Sequence, residues 1–260
     1  MLQFDCSTVS VNGADPNGNE DFTVVQPAAG IFVIADGMGG RPGGGQASSV
    51  AARSFCETVR ALEPHLRVSR QNLAQAVNTA NVNVRAIAEA DPMMTGLGTT
   101  LSAVVLQGTR GKIVHVGDSR VYLFRDNHLR LLTEDHTLVA ALIERQRITA
   151  EGAKHYPLRN VLVRSIGTQE TVEADILDLA VQVGDWLILA TDGLADVLDA
   201  EGLSQVIGAE RAGPAGKLCQ AVMTLAEQND PQDNISLVVV QVLETNAVGR
   251  DTGGCEKNME

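Results

Sequence analysis

The sequence predicts an α+β fold in which antiparallel sheets are covered by paired helices. Predicted strands outnumber helices and mostly come as hairpins, and the helices arrive in adjacent pairs. No repeating strand–helix–strand unit is found, which argues against a parallel sheet. The chain has 260 residues, enough for one large domain or two small ones.

Gln3–Val11 alternates loosely and reads as a first strand. Phe22–Gln26 and Gly30–Asp36 follow, and residues 31–36 (IFVIAD) form a continuous apolar run, the mark of a strand buried on both faces. The loop Gly37–Gly44 (GMGGRPGG) leads to a helix through Glu57 and Leu62. Asn72–Glu89 is the clearest helix. Its Leu73, Ala76, Val77, Ala80, Val84, Ile87 and Ala88 share one face at spacings of three and four.

Thr99–Gln107 and Lys112–Val116 read as strands joined by a turn with Gly108 and Gly111. Arg120–Arg125 and His128–Leu132 form another hairpin, turning at Asp126-Asn127. Thr137–Gly167 is mixed and polar, with short helical patches. Asp175–Val181 and Asp185–Thr191 are strands joined through Gly184. Gly213–Gln228 is a helix and Asn234–Leu243 a final strand. From Thr245 the chain is polar and glycine-containing, the pattern of a frayed tail.

Composition narrows the function. The chain is 44% hydrophobic, sufficient for a sizeable core. It carries 20 basic against 32 acidic residues, a net charge of −12. That disfavours nucleic acid and anionic membrane as partners, since both need a positive face. Cys6, Cys56, Cys219 and Cys255 form no C-x-x-C pair and read as reduced cytosolic thiols. The first residues show neither the basic nor the apolar region of a signal peptide. Apolar runs stop at about seven residues, short of the ~20 that a membrane helix needs. A cytoplasmic protein is expected, with a monomer as the default.

The chemistry lies in the acids. Three apolar runs end alike, at Asp36, Asp118 and Asp192, each flanked by glycine at 37, 117 and 193. A carboxylate directly after a buried strand is costly unless something pairs with it. One such Asp could cap a helix; three make a shared site the better reading. Asn19-Glu20-Asp21 and Asp230–Asn234 add two acidic clusters, each just before a strand. If these acids converge, a cation must neutralise them, and oxygen ligands suit Mg²⁺, Mn²⁺ or Ca²⁺. The histidines at 65, 115, 128, 136 and 155 show no paired ligand spacing, and His115 reads as a packed or surface side chain.

Other motifs fail. Gly37–Pro42 puts proline where a dinucleotide loop needs its third small residue, and no phosphate-binding G-x-x-x-x-G-K-[ST] exists. Asp15-x-Asn17-x-Asn19 begins like a calcium loop but has Glu20 where glycine is required and Gln26 where a bidentate Glu belongs.

The sequence resembles the metal-dependent protein phosphatase family (type 2C), in motifs covering roughly Ser7 to Val242. In order they are NED at Asn19–Asp21, VIADGMGG at Val33–Gly40, GLGTTL at Gly96–Leu101 and VGDSRVY at Val116–Tyr122. LTEDHT at Leu131–Thr137, ATDGL at Ala190–Leu194 and DNIS at Asp233–Ser236 complete the series. Any one is weak; in series they are strong. ADGMGG is the bacterial form. The resemblance implies a four-layer α-β-β-α sandwich, two antiparallel sheets flanked by paired helices. Residues 1–244 would be the catalytic domain, with a flap at about 137–167, and 245–260 the tail.

By matching position, the resemblance implies that Asp21, Asp36, Asp192 and Asp233, with the Gly37 carbonyl, hold two central Mn²⁺ or Mg²⁺ ions. Glu20 would act through ordered water, and Asp118 with Asp192 would hold a third, weaker ion. The implied activity is hydrolysis of phosphoserine and phosphothreonine proteins, opposite a bacterial Ser/Thr kinase. Two cations ~3.5–4 Å apart can lower the pKa of a bridging water and clamp an in-line displacement, so no side-chain nucleophile is needed.

The pattern departs from the family at two positions. Pro16 stands where an Arg usually binds the substrate phosphate, and Arg41 where bacterial members have His. Arg41 is a candidate for part of the lost phosphate contact; an exposed arginine with no role weighs equally. Ser119 and Arg120 are expected to pack around the site, Thr99 and Thr100 to serve structurally, and His136 to hydrogen-bond the flap. These departures keep a phosphoprotein-binding pseudophosphatase as the second hypothesis, although the acidic set is complete. A calcium-binding module is the third.

Overall fold

The computed structural model describes residues 2–14, 18–38, 43–94 and 96–244. Pro16, residues 39–42 of the glycine-rich loop, including Arg41, and the 245–260 tail lie outside the described residues.

Strand β1 (Leu2–Val11) is followed by the hairpin of β2 (Asp21–Gln26) and β3 (Ile31–Met38). Helices α1 (Gly44–Arg60) and α2 (Arg70–Ala90) come next. The short β4 (Gly98–Thr99) leads to β5 (Leu101–Gln107) and β6 (Arg110–Val116). A second hairpin, β7 (Arg120–Arg125) and β8 (His128–Leu131), precedes the helices α3 (Leu138–Glu144) and α4 (Ala150–Lys154). Then come β9 (Asp175–Ala180), β10 (Trp186–Ala190), α5 (Asp192–Val197), α6 (Ala200–Glu210), α7 (Ala215–Glu227) and β11 (Ile235–Glu244).

Every strand pairing is antiparallel. A five-stranded sheet runs β1-β11-β10-β7-β8, and a six-stranded sheet runs β2-β3-β5-β6-β9 with β4 beside β3. Alternation along each strand assigns its faces. On β3, Ile31, Val33 and Ala35 pack on Phe55 of α1 and Leu73 of α2. Phe32 and Ile34 point the other way and meet Leu187, Leu189 and Val238 of the opposite sheet. That sheet's outer face (Trp186, Ile188, Val239) packs on α6 and α7 through Leu203, Ile207 and Leu218. The result is the expected four-layer sandwich. It explains the continuous apolar runs, because central strands bury both faces. Each large side chain buried this way stabilises the fold by about 1.5–3 kcal/mol.

Three boundaries differ from the sequence reading. Asp36 lies inside β3, which continues to Met38 because Gly37 and Met38 pair with Thr99 and Gly98 of β4. Asp192 does not end a strand: β10 stops at Ala190, and Asp192 is the first residue of α5. Helix α6 has no counterpart in the sequence reading. It buries only Leu203 and Ile207, too few for a clear apolar stripe, although Asp199 caps it by accepting from the Gly202 N–H at 2.8 Å.

Candidate metal centre

Five aspartates from separate parts of the chain meet at one end of the sandwich. Asp21 opens β2 and stands directly opposite Asp36 in the β2–β3 register. Like charges facing each other across a strand pair destabilise it, so this register is unfavourable without a cation. Asp192 begins α5, Asp233 lies two residues before β11, and Asp118 follows β6 through Gly117.

The surrounding hydrogen bonds hold these acids in place. The Thr191 hydroxyl donates to Asp21 Oδ2 at 3.0 Å and accepts from the Ser236 N–H at 2.9 Å, joining β2, the α5 start and β11. Asn234 Oδ1 accepts from the Glu20 N–H at 2.8 Å. The Asp36 N–H donates to Thr100 Oγ1 at 2.8 Å, and Thr99 Oγ1 donates to the Asp36 carbonyl at 2.8 Å. Thr100 and Ser119 share a hydroxyl bond of 2.7 Å, tying the Asp36 backbone to the Asp118 turn. The two threonines thus serve structurally.

The glycines flanking the acids have steric reasons. Gly117 has φ +110°, a backbone that other residues rarely adopt, and it turns the chain into Asp118. A Cβ on Gly193 would stand 2.1 Å from the Asn234 carbonyl oxygen, so only glycine lets α5 start against β11. Gly37 donates its N–H to the Glu20 carbonyl at 3.1 Å. The Glu20 carboxyl group lies against Gly44, where a Cβ would approach it to 2.5 Å.

Electrostatically the site is under tension. Burial, followed by the charges of Asp21, Asp192, Asp118 and Asp233, raises the Asp36 carboxyl well above its ordinary value. Burial raises Asp118 to about 8, with Asp192 and then Asp135 adding repulsion. Burial also raises Asp21 to about 6, partly offset by its hydrogen bonds to Ser236 and Thr191. Asp192 is raised by burial and then by Asp233. Among the described residues Asp21 Oδ1 is buried with no hydrogen-bond partner. Among the described residues no three acidic, histidine or cysteine side chains close on one point tightly enough to hold an ion as they stand. The carboxylates interact by charge without forming a finished shell. An all-oxygen donor set, concentrated negative charge and an orphaned buried acceptor nevertheless fit a hard divalent cation.

The neighbouring histidines are not part of the donor set. His115 is fully buried, with Nδ1 2.8 Å from Ser102 Oγ and Nε2 2.9 Å from the Glu134 carbonyl. Burial, then His136, lowers it to about 4, so it stays neutral. His136 does bond the 137–167 segment, through its backbone carbonyl, which receives the Val163 N–H at 2.8 Å, while its Nδ1 accepts the Gly117 N–H at 3.1 Å. The ring's proton therefore sits on Nε2, 3.4 Å from Asp175 Oδ2, long for a hydrogen bond. Arg120 forks onto Asp135 at 3.1 and 2.7 Å, a pair that the sequence reading did not identify. Thr191 and Asn234 lay inside recognised motifs, but their roles depend on contacts between distant segments.

Residues 16–214 match the family model for Protein phosphatase 2C. The chain is 32% identical over 213 residues to the serine/threonine phosphatase stp of Listeria welshimeri, covering 81% of this chain and 84% of that protein. It is 33% identical over 226 residues to the serine/threonine protein phosphatase PstP of Mycobacterium tuberculosis, covering 87% of this chain and 42% of PstP. The crystal structure of the M. tuberculosis PstP/Ppp phosphatase superposes with a TM-score of 0.85 at 30% identity, covering 94% of this chain and 100% of that one. The PstP catalytic domain in complex with 2 manganese ions superposes at 0.83 with 29% identity and the same coverage. On this fold, this carboxylate arrangement and these matches, the chain belongs to the protein phosphatase 2C family.

Proposed function

We infer that the protein is a metal-dependent serine/threonine protein phosphatase. The observation that carries this is the convergence of Asp21, Asp36, Asp118 and Asp192 as carboxylates with raised pKa, beside Asp233, with an unpartnered buried oxygen on Asp21. Asp21, Asp36, Asp192, Asp233 and the Gly37 carbonyl are proposed to hold two ions, Mn²⁺ or Mg²⁺. Glu20 would act through water, and Asp118 with Asp192 would hold a third ion. Bound divalent ions supply the Lewis acidity that activates water and neutralises charge building up on a phosphoryl group. The chain's own residues keep the donors preorganised: Thr191 orients Asp21, Thr99 and Thr100 fix the backbone at Asp36, and Asn234 fixes Glu20. Ser102 touches His115 at 2.8 Å, but both are fully buried and the Ser102 hydroxyl also donates to the Ser119 carbonyl at 2.7 Å, so this pair presents no nucleophile to a substrate.

The substrates proposed are phosphoserine and phosphothreonine proteins, with a Ser/Thr kinase as counterpart. No helix among the described residues is long and apolar enough to cross a membrane. A cytoplasmic monomer is proposed: the free thiols of Cys6, Cys56 and Cys219 suit a reducing compartment, and a net charge of −12 resists self-association.

The test is hydrolysis of a phosphothreonine peptide after metal removal. Turnover is expected on adding Mn²⁺ and is expected to stop with EDTA. Full turnover in EDTA would overturn the reading. Arg41 remains a proposed phosphate ligand. Arg41→Ala is expected to lower kcat/KM about tenfold, the scale of one charge-assisted hydrogen bond; an unchanged value would discard the role.

A further inference from the structure

A cleft of about 250 Å³ adjoins the acidic centre. Asp118 and Asp192 line it together with Val139, Ala140 and Ile143 of α3. The Arg120–Asp135 pair lines it too, as do Arg159 of the flap and Asp196 of α5, where the Arg159 guanidinium forks onto the Asp196 carboxylate at 3.0 Å for both bonds. The volume falls below the ~300–1,000 Å³ of small-molecule pockets. It suits a single side chain. Its α3 wall is apolar, and Ile143 on it is 36% exposed.

Charge distribution adds a second, independent observation. Residues 137–167 carry Arg145, Arg147, Lys154, Arg159 and Arg164 against only Glu144 and Glu151, whereas the whole chain carries 20 basic and 32 acidic residues. The flap is thus a positive segment on a negative protein. Such a segment, with Arg145 and Arg147 exposed, attracts acidic ligands toward a site whose surroundings otherwise repel them. The Arg159–Asp196 pair is 45% exposed on both sides. Exposed pairs of this kind are weak, so a carboxylate from a ligand can replace Asp196.

We propose that this cleft reads the residues beside the phosphorylated side chain, selecting an apolar residue for the α3 wall and an acidic one for Arg159. This rests on the phosphatase reading and adds a substrate class to it: phosphopeptides with acidic and apolar flanks. Asp196 then acts as an internal stand-in for the substrate's acid, occupying Arg159 until substrate arrives.

The experiment uses the whole chain with Mn²⁺, p-nitrophenyl phosphate and phosphothreonine peptides of equal length. Flanking pairs are Asp-Leu, Asp-Ser and Arg-Leu, placed on each side in turn. The Asp-Leu peptide is expected to exceed the Arg-Leu peptide in kcat/KM by about five- to tenfold, mainly through KM, with the gap shrinking as salt is added. Asp-Leu is also expected to exceed Asp-Ser. Arg159→Glu is expected to invert the Asp-to-Arg preference, and Asp196→Asn to increase it by releasing Arg159. If the pair were only a clamp holding the flap to α5, both substitutions would lower all peptides alike and leave the ratios unchanged. That result, or equal use of all peptides by the unsubstituted protein, overturns the proposal while Mn²⁺-dependent turnover of p-nitrophenyl phosphate keeps the phosphatase reading. Absence of turnover on every substrate defeats that reading, and the cleft proposal with it.

Discussion

Asp36→Asn is expected to stabilise the metal-free protein and, in the same molecule, to abolish its hydrolytic activity. Asp36 is the most crowded carboxyl of the centre: burial and then four other aspartates oppose its ionisation. In the unfolded chain the same group ionises freely, so holding it in the fold costs stability at neutral pH. Asparagine keeps the shape and removes that cost. The metal-free variant should therefore melt a few degrees above the unsubstituted protein. Its Mn²⁺-induced rise in Tm should disappear, and kcat/KM on a phosphopeptide should fall about a thousandfold, the upper scale for losing one stabilising group at a reacting centre. Asp192→Ala should match it in activity. Thermal scans with and without Mn²⁺ check the first part and steady-state kinetics the second. A lower Tm in the metal-free variant would show that Asp36 is structural and that the strain assigned to it is absent.

The stability of the metal-free protein should fall as pH rises from about 4 to about 8, opposite to the trend expected of a protein whose acids are paired. The sign follows from proton uptake. Asp21 is raised from 3.8 to about 6, and Asp118 from 3.8 to about 8. Between the ordinary and raised values the folded state holds protons that the unfolded chain has released, so raising pH favours unfolding; His115, lowered from 6.5 to about 4, opposes this below pH 6.5 without outweighing the aspartates. Asp21 completes its contribution near pH 6 and Asp118 near pH 8. Mn²⁺ competes with these protons and should raise Tm more at pH 8 than at pH 5.5. At a metal concentration about a thousandfold above Kd the gain is ~4 kcal/mol, or roughly 10 °C. Tm measured in EDTA and in Mn²⁺ across this range tests it. A Tm in EDTA that climbs toward pH 8, or a larger Mn²⁺ shift at pH 5.5, would contradict the account.

Much of the fold was legible because the sandwich imprints itself on sequence. Central strands bury both faces, so β3, β10 and β11 appear as unbroken apolar runs, while α2 buries one face and shows helical spacing. The acids were legible for a related reason: a carboxylate following such a run is out of place unless it serves a site. Less legible was anything decided by contacts between distant segments. Thr191 supports Asp21 across 170 positions, and His136 holds the Gly117 N–H from the far side of the β7–β8 hairpin. Asp192 looked like the end of a strand because a six-residue helix is too short to show periodicity. Helix α6 was obscured by Gly202 and Gly208 and by its shallow burial. The flap's net positive charge stood in the sequence, but its meaning depends on the cleft formed by α3, Arg159 and α5.

The central claim is that these carboxylates exist to bind the metal ions on which hydrolysis depends. Its most direct test is a calorimetric titration of Mn²⁺ into metal-stripped protein, with phosphothreonine-peptide turnover measured at each point. Turnover should be absent at the start, rise as the ions occupy the Asp21, Asp36, Asp192 and Asp233 set, and stay absent throughout in Asp36→Asn. Turnover already complete in the stripped protein, or Mn²⁺ binding unchanged by Asp36→Asn, would contradict it.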